Sequence, residues 1–116
     1  MSDAMDPPTE LRLKRAERVL EVSFADGTRY ALSFEYLRVF SPSAEVRGHG
    51  LGEPLLVRGK ERVGIARIDP VGNYAVKLSF DDGHDTGLYS WDFLRELGAQ
   101  QAVNWRRYQE RLLSAG

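Results

Sequence analysis

Two stretches of the chain echo each other, and the echo restricts the architecture more than any single residue does. Ser23-Phe24-Ala25-Asp26-Gly27 is followed by Ser33-Phe34-Glu35-Tyr36-Leu37-Arg38. Ser79-Phe80-Asp81-Asp82-Gly83 is followed by Ser90-Trp91-Asp92-Phe93-Leu94-Arg95. The offset is 56 residues in the first block and 57 in the second, so one residue is inserted between them. Each copy reads strand, Asp-Gly turn, strand, capped helix. Glycine supplies the positive φ such a turn needs, and Ser33 and Ser90 stand where a helix N-cap belongs. The competing explanation is a chance match between two copies of a common local unit. The echo predicts two quasi-equivalent units sharing one sheet, with both Asp-Gly turns at one end.

Hydrophobic periodicity fills in the remainder. Leu11 and Leu13 alternate with Arg12 and Lys14, and Leu20, Val22 and Phe24 alternate with Glu21 and Ser23, the period-2 pattern of half-buried strands. Tyr30 and Leu32 lie on the return strand. Phe34, Leu37 and Phe40 form a short helical stripe that Pro42 ends, and residues 41–54 read as loop. A strand runs from Val63 to Pro70, Gly72-Asn73 turns the chain, and Tyr74, Val76, Leu78 and Phe80 share one face of the next strand. Leu88 lies on its return. Trp91, Leu94 and Leu97 stripe a second helix, which Gly98 stops. A last helix from about Gln100 to Leu113 buries Ala102, Trp105, Tyr108 and Leu112 and wets Arg106, Arg107, Glu110 and Arg111. The expected fold class is α+β: two β-hairpin-plus-helix units around a largely antiparallel or mixed sheet, with a C-terminal helix. Residues 1–9 are expected to be a flexible tail, 10–98 the domain proper, and 99–116 a helix packed on the same domain.

Composition narrows function mainly by exclusion. The chain has 116 residues, enough for one domain. It holds 16 Lys and Arg against 17 Asp and Glu, a net charge of −1, where a dedicated nucleic-acid binder carries a basic excess. There is no cysteine, which removes disulfides, thiolate nucleophiles, cluster ligation by thiolates and every cysteine-containing zinc site. No apolar run approaches the ~20 residues of a membrane helix, and the first ten residues lack the apolar core of a secretory signal. The expectation is a cytoplasmic protein with a protein partner, no membrane and no nucleic acid. The sequence sets no oligomeric state.

Three features bear on chemistry. Asp81-Asp82-Gly83-His84-Asp85 puts three carboxylates and an imidazole on one turn. Such donors suit iron, zinc or manganese, although Asp and Gly are also what a solvated hairpin tip requires. Gly48-His49-Gly50-Leu51-Gly52 offers backbone N–H groups near Arg47, Arg58 and Lys60, but no Gly-Lys-Ser/Thr follows to make a P-loop. Charge is segregated along the chain. Residues 47–67 carry three more cations than anions and residues 69–92 four more anions than cations, a division that suits steering of a protein partner. No serine sits in a Gly-x-Ser-x-Gly elbow, and the reading is non-catalytic.

Three ordered motifs carry a resemblance. They are Tyr36-Leu37-Arg38-Val39-Phe40-Ser41-Pro42-Ser43-Ala44-Glu45-Val46-Arg47-Gly48-His49-Gly50, then Pro70-Val71-Gly72-Asn73-Tyr74-Ala75-Val76, then Asp82-Gly83-His84-Asp85-Thr86-Gly87-Leu88-Tyr89-Ser90-Trp91. Over about residues 10–98 the chain resembles a bacterial family of small uncharacterised proteins related to the N-terminal domain of gamma-butyrobetaine hydroxylase. In hydroxylase-type members the resemblance implies a zinc-bearing accessory domain, its zinc held by three cysteines and a later histidine. The matching positions here are Ser41, Ser43, Val46 and His84. Only the histidine is kept, so the resemblance implies loss of that zinc site. It also implies no hydroxylase activity, because 116 residues leave no room for the catalytic domain. Similar domains fused to Mrp-type NTPases imply, by analogy, a role near iron–sulfur or other metal-cofactor maturation.

These readings converge on a non-catalytic accessory or protein-interaction module. Its candidate contact residues are Ser41, Ser43, Arg47, His49 and His84, and no cofactor is expected. The alternative is a metal-binding protein using His84 with Asp81, Asp82 and Asp85, with iron, zinc or manganese as the ion. An enzyme of unknown type is the third reading.

Overall fold

The computed structural model of the chain describes residues 7–41, 57–85 and 87–115. Strands β1 (Glu10–Lys14), β2 (Val19–Ser23) and β3 (Arg29–Ser33) form one antiparallel sheet in the order β1-β2-β3 and lead into helix α1 (Phe34–Val39). Strands β4 (Ile65–Val71), β5 (Ala75–Phe80) and β6 (Gly87–Ser90) form a second, in the order β4-β5-β6, and lead into α2 (Trp91–Ala99). Helix α3 (Gln101–Ala115) closes the chain. The α+β class, the paired hairpin-plus-helix units and the C-terminal helix are as the sequence predicts. The antiparallel pairing is divided between two three-stranded sheets.

The two units match hydrogen bond by hydrogen bond. In the first turn Phe24 N–H donates to Thr28 O, Gly27 N–H to Phe24 O and Thr28 N–H to Asp26 Oδ1. In the second, Phe80 N–H donates to His84 O, Gly83 N–H to Phe80 O and His84 N–H to Asp82 Oδ1. Gly27 and Gly83 sit at φ 90° and 93°, a conformation open to glycine at no steric cost. Ser33 Oγ accepts from Tyr36 N–H at 3.0 Å and Ser90 Oγ from Phe93 N–H at 3.1 Å, so both N-caps form as the sequence predicts. Strand register aligns as well: Val22 faces Tyr30 as Leu78 faces Gly87, and Leu20 faces Leu32 as Val76 faces Tyr89. The inserted residue therefore falls between His84 and Gly87.

Contacts between the units are exchanged crosswise. Asp26 of the first turn accepts from Arg95 of α2 at 3.2 Å, and Asp82 of the second accepts from Arg38 of α1 at 2.9 Å. The hydroxyl of Tyr36 in α1 donates to Leu97 O in α2, and that of Tyr89 in β6 donates to Leu37 O in α1. The two Asp–Arg bonds exchange equivalent positions reciprocally, the pattern of a two-fold relation, whereas the two tyrosine bonds come from non-equivalent positions. Between the units lies one core. It is built on Leu20, Val22 and Leu32 from the first sheet, Ile65, Leu78 and Tyr89 from the second, and Phe34, Leu37, Leu94 and Leu97 from the helices. Burying each large apolar side chain contributes ~1.5–3 kcal/mol. The turn between β1 and β2 adds a polar tie, with Arg15 donating to Ile65 O at 2.7 Å and Arg18 to Val63 O.

Some local expectations change. Gly98 lies inside α2, whose C-cap is Gln100, and a Cβ on Gly98 would run into the Tyr30 ring. Its role is close packing, which a helix-stop reading of glycine misses. Tyr74 belongs to the β4–β5 turn and is 47% exposed. Among the described residues of α3 only Tyr108 is buried, with Trp105 and Leu112 half-buried and Ala102 exposed, because a terminal helix packs along a narrow stripe. Most of the expected tail lies outside the described residues, and within it Thr9 N–H already donates to Ser23 O at 2.7 Å.

Candidate functional site

The second Asp-Gly turn is where the two units cease to be equivalent. Strand pairing aligns Tyr30 with Gly87, and the helix offset aligns Gly98 with Ser41. The Tyr30 ring of the first unit packs on Gly98 in the helix of the second. In the second unit the matching ring is gone, and a Cβ on Gly87 would lie 3.0 Å from Ser41 Oγ and 2.8 Å from Tyr89 Cε1. His84 takes the place of Thr28 and reaches this space, its Nε2 standing 2.9 Å from Ser41 Oγ. Ser41 is 3% exposed, and the imidazole ring lies 6.1 Å from the Phe80 ring. The Ser41–His84 contact thus joins the chain just past the α1 C-cap, Phe40, to the β5–β6 turn.

Charge fixes the turn from the other side. Asp82 Oδ2 accepts from Lys60 Nζ at 2.7 Å and from Arg38 Nε at 2.9 Å, and Asp82 Oδ1 accepts from the His84 amide at 3.1 Å. Burial works to raise the Asp82 pKa, but the hydrogen bonds from Lys60, the His84 amide and Arg38 outweigh it and hold it at about 2. Asp81 is engaged separately, its Oδ1 accepting from Gly64 N–H at 3.0 Å. A Cβ on Gly64 would lie 2.8 Å from Asp81 Oδ2, so the close approach needs glycine. Asp85 is exposed. Tyr89 borders the site, its phenol pushed well up by burial against the opposing effect of the Ser41 hydroxyl.

The structure therefore brings Ser41 and His84 together and turns Asp81 and Asp82 toward different partners. Ser43, Arg47 and His49 lie outside the described residues. Among the described residues no group of three or more His, Cys, Asp or Glu side chains comes together as a metal-holding set. The zinc of hydroxylase-type members does not fit the donors present, because a neutral hydroxyl and an imidazole engaged with each other do not replace thiolates. Lys60, Arg38, Gly64 and Gly87 complete the site, and the sequence reading did not place them there. The repeated Asp–Arg spacing could have found Arg38, since each turn aspartate takes the helix arginine of the opposite unit. Charge segregation is also partly internal, as Lys60 of the basic stretch neutralises Asp82 of the acidic one. No helix among the described residues is long and apolar enough to cross a membrane.

Known proteins share this fold. The chain is similar to a crystal structure of a protein of unknown function in the DUF971 family from Acidithiobacillus ferrooxidans, with 44% identity and a TM-score of 0.71, over 84% of this chain and 99% of that one. It is also similar to two proteins solved by NMR. One is 56% identical, covering 99% of this chain and 87% of that one, and the other is 46% identical, covering 97% and 88%. Both have a TM-score of 0.82. No curated protein matches. The family described as gamma-butyrobetaine hydroxylase-like, N-terminal, matches residues 11–95, which take in both Asp-Gly turns and the Ser41–His84 contact and end within α2. The chain belongs to that family.

Proposed function

We propose that the chain is a non-catalytic protein-interaction module whose contact surface is the Asp81–Asp85 turn together with the end of α1 that supports it. The observation that carries this reading is the double anchoring of an exposed turn, by Ser41 on His84 and by Arg38 and Lys60 on Asp82. A loop held in one conformation before contact loses less entropy on binding. The corresponding turn of the first unit has its single arginine partner and a threonine in place of the imidazole. Burial of Ser41 leaves no approach for a substrate to its hydroxyl, which speaks against a Ser–His nucleophile. Family analogy alone suggests metal-cofactor or iron–sulfur maturation as the setting in which to look for the partner.

Capture on the immobilised full chain tests the reading. The triple variant Arg47→Ala, His49→Ala, His84→Ala is expected to release a partner that the parent chain retains, while far-UV circular dichroism stays unchanged. Retention of every specific partner by the folded variant would overturn it. Elemental analysis after metal-replete expression, with His84→Ala as control, separates it from the metal-binding alternative. Stoichiometric iron, zinc or manganese that the control loses would favour that alternative.

A further inference from the structure

At the other end of α1 lies a groove of about 720 Å³, bounded by Ser33, Glu35 and Tyr36 on one side and by Gly98, Gln101 and Trp105 on the other. Glu35 is half-buried there and makes no hydrogen bond or salt bridge among the described residues. Burial is the first cause that pushes its carboxyl up, and the neighbouring Glu61 adds to it against the pull of Arg18. Arg18 is engaged elsewhere, donating to the carbonyls of Val63 and Glu61 and lying over the Phe34 ring. The C-terminal end of α2 and the N-terminal end of α3 both reach the groove, so their opposite dipoles offset each other. The first-turn amide of Tyr36 is already taken by Ser33 Oγ. The sign of the groove is therefore set by the Glu35 carboxylate.

Trp105 supplies the second element. Its ring is edge-on to Tyr36 at 6.0 Å and tilted against Tyr108 at 5.0 Å, and it remains half-exposed at the groove. A glutamate and a tryptophan lining one groove are together complementary to a guanidinium. The planar cation donates two N–H groups to a carboxylate in a two-point pair and stacks on an aromatic face, and a compact ammonium does the first less well. We infer that this groove is a binding site for a guanidinium group, with Glu35 as the counter-charge and Trp105 as the stacking surface. The site is separate from the turn proposed as the partner surface, and each can fail without the other.

The test follows ¹⁵N–¹H shifts of the full chain on titration with Gly-Arg-Gly, with its neutral isostere Gly-citrulline-Gly, and with methylguanidinium. Saturable shifts of the Trp105 indole N–H and the Glu35 amide are expected with the two cations and not with the citrulline peptide. Glu35→Gln should weaken binding at least tenfold, and Trp105→Phe, which keeps a ring in the core, several-fold. Tighter binding of the peptide than of methylguanidinium identifies the source as an arginine side chain of a protein. Equal binding identifies a free small cation. Equal shifts with the citrulline peptide, no saturable shift, or unchanged affinity in folded Glu35→Gln overturns the assignment.

Discussion

Asp82 and Asp26 occupy the same place in their units but do different work. The Asp82 side chain is 21% exposed and bonded to two cations, whereas Asp26 is 57% exposed and bonded, among the described residues, to one cation, Arg95. Because the Asp82 pKa is depressed to about 2, its stabilisation is full above the ordinary carboxylate range near 4 and is lost as pH falls through about 2. With solvent screening the contribution is on the order of 1 kcal/mol. Asp82→Asn should therefore lower stability by about that amount at pH 7, with the gap to the parent chain closing between pH 4 and pH 2, as read by urea unfolding. Asp26→Asn should lower it less. Ser41→Ala leaves the imidazole without this hydroxyl and should cost ~1 kcal/mol, a loss visible in the same titrations. Sequence marked Asp82 and His84 as residues of interest because acids and an imidazole clustered on one turn. Their partners were not legible, since Ser41 and Lys60 lie 43 and 22 residues away from the groups they bond and no local pattern records that distance.

At the level of elements, the strands, turns and caps follow from short-range signals, and these were readable because period-2 alternation, Asp-Gly and Ser caps each act within a few residues. Gly98 was misread because its reason lies in another element. The Tyr30 ring on β3 rests against α2 where a side chain would stand. Gly98→Ala should destabilise by ~1–3 kcal/mol through overpacking, despite alanine's better helix propensity. The double variant with Tyr30→Ala should recover part of that loss, a coupling that a double-mutant cycle in urea measures. Gly87→Ala presses on Tyr89 and on Ser41, and it should broaden or shift the His84 ring resonances as well as lower stability. The division of the strands into two sheets was not readable, because alternation fixes which face of a strand is buried and says nothing about which strand lies beside it.

For the whole molecule, the crosswise contacts make the units mutually dependent. Tyr36 and Tyr89 each place a hydroxyl on a helix carbonyl of the opposite unit, and both rings are buried. Unfolding should be a single transition, with tryptophan fluorescence and far-UV circular dichroism superimposing in urea. Tyr89→Phe should shift both probes together while leaving the buried Leu37 carbonyl short of a donor, at a cost of about 1–3 kcal/mol. The echo made this plan partly visible, since it predicted two equivalent units. It did not show that each aspartate reaches past its own helix to the other. Such crossed bonding has a consequence for fragments. A polypeptide carrying one half only would find the complement of its arginine and its aspartate on a second copy of itself. The intact chain supplies both complements at once, across two seams of unlike chemistry: Tyr30 on Gly98 at one, Ser41 with His84 at the other.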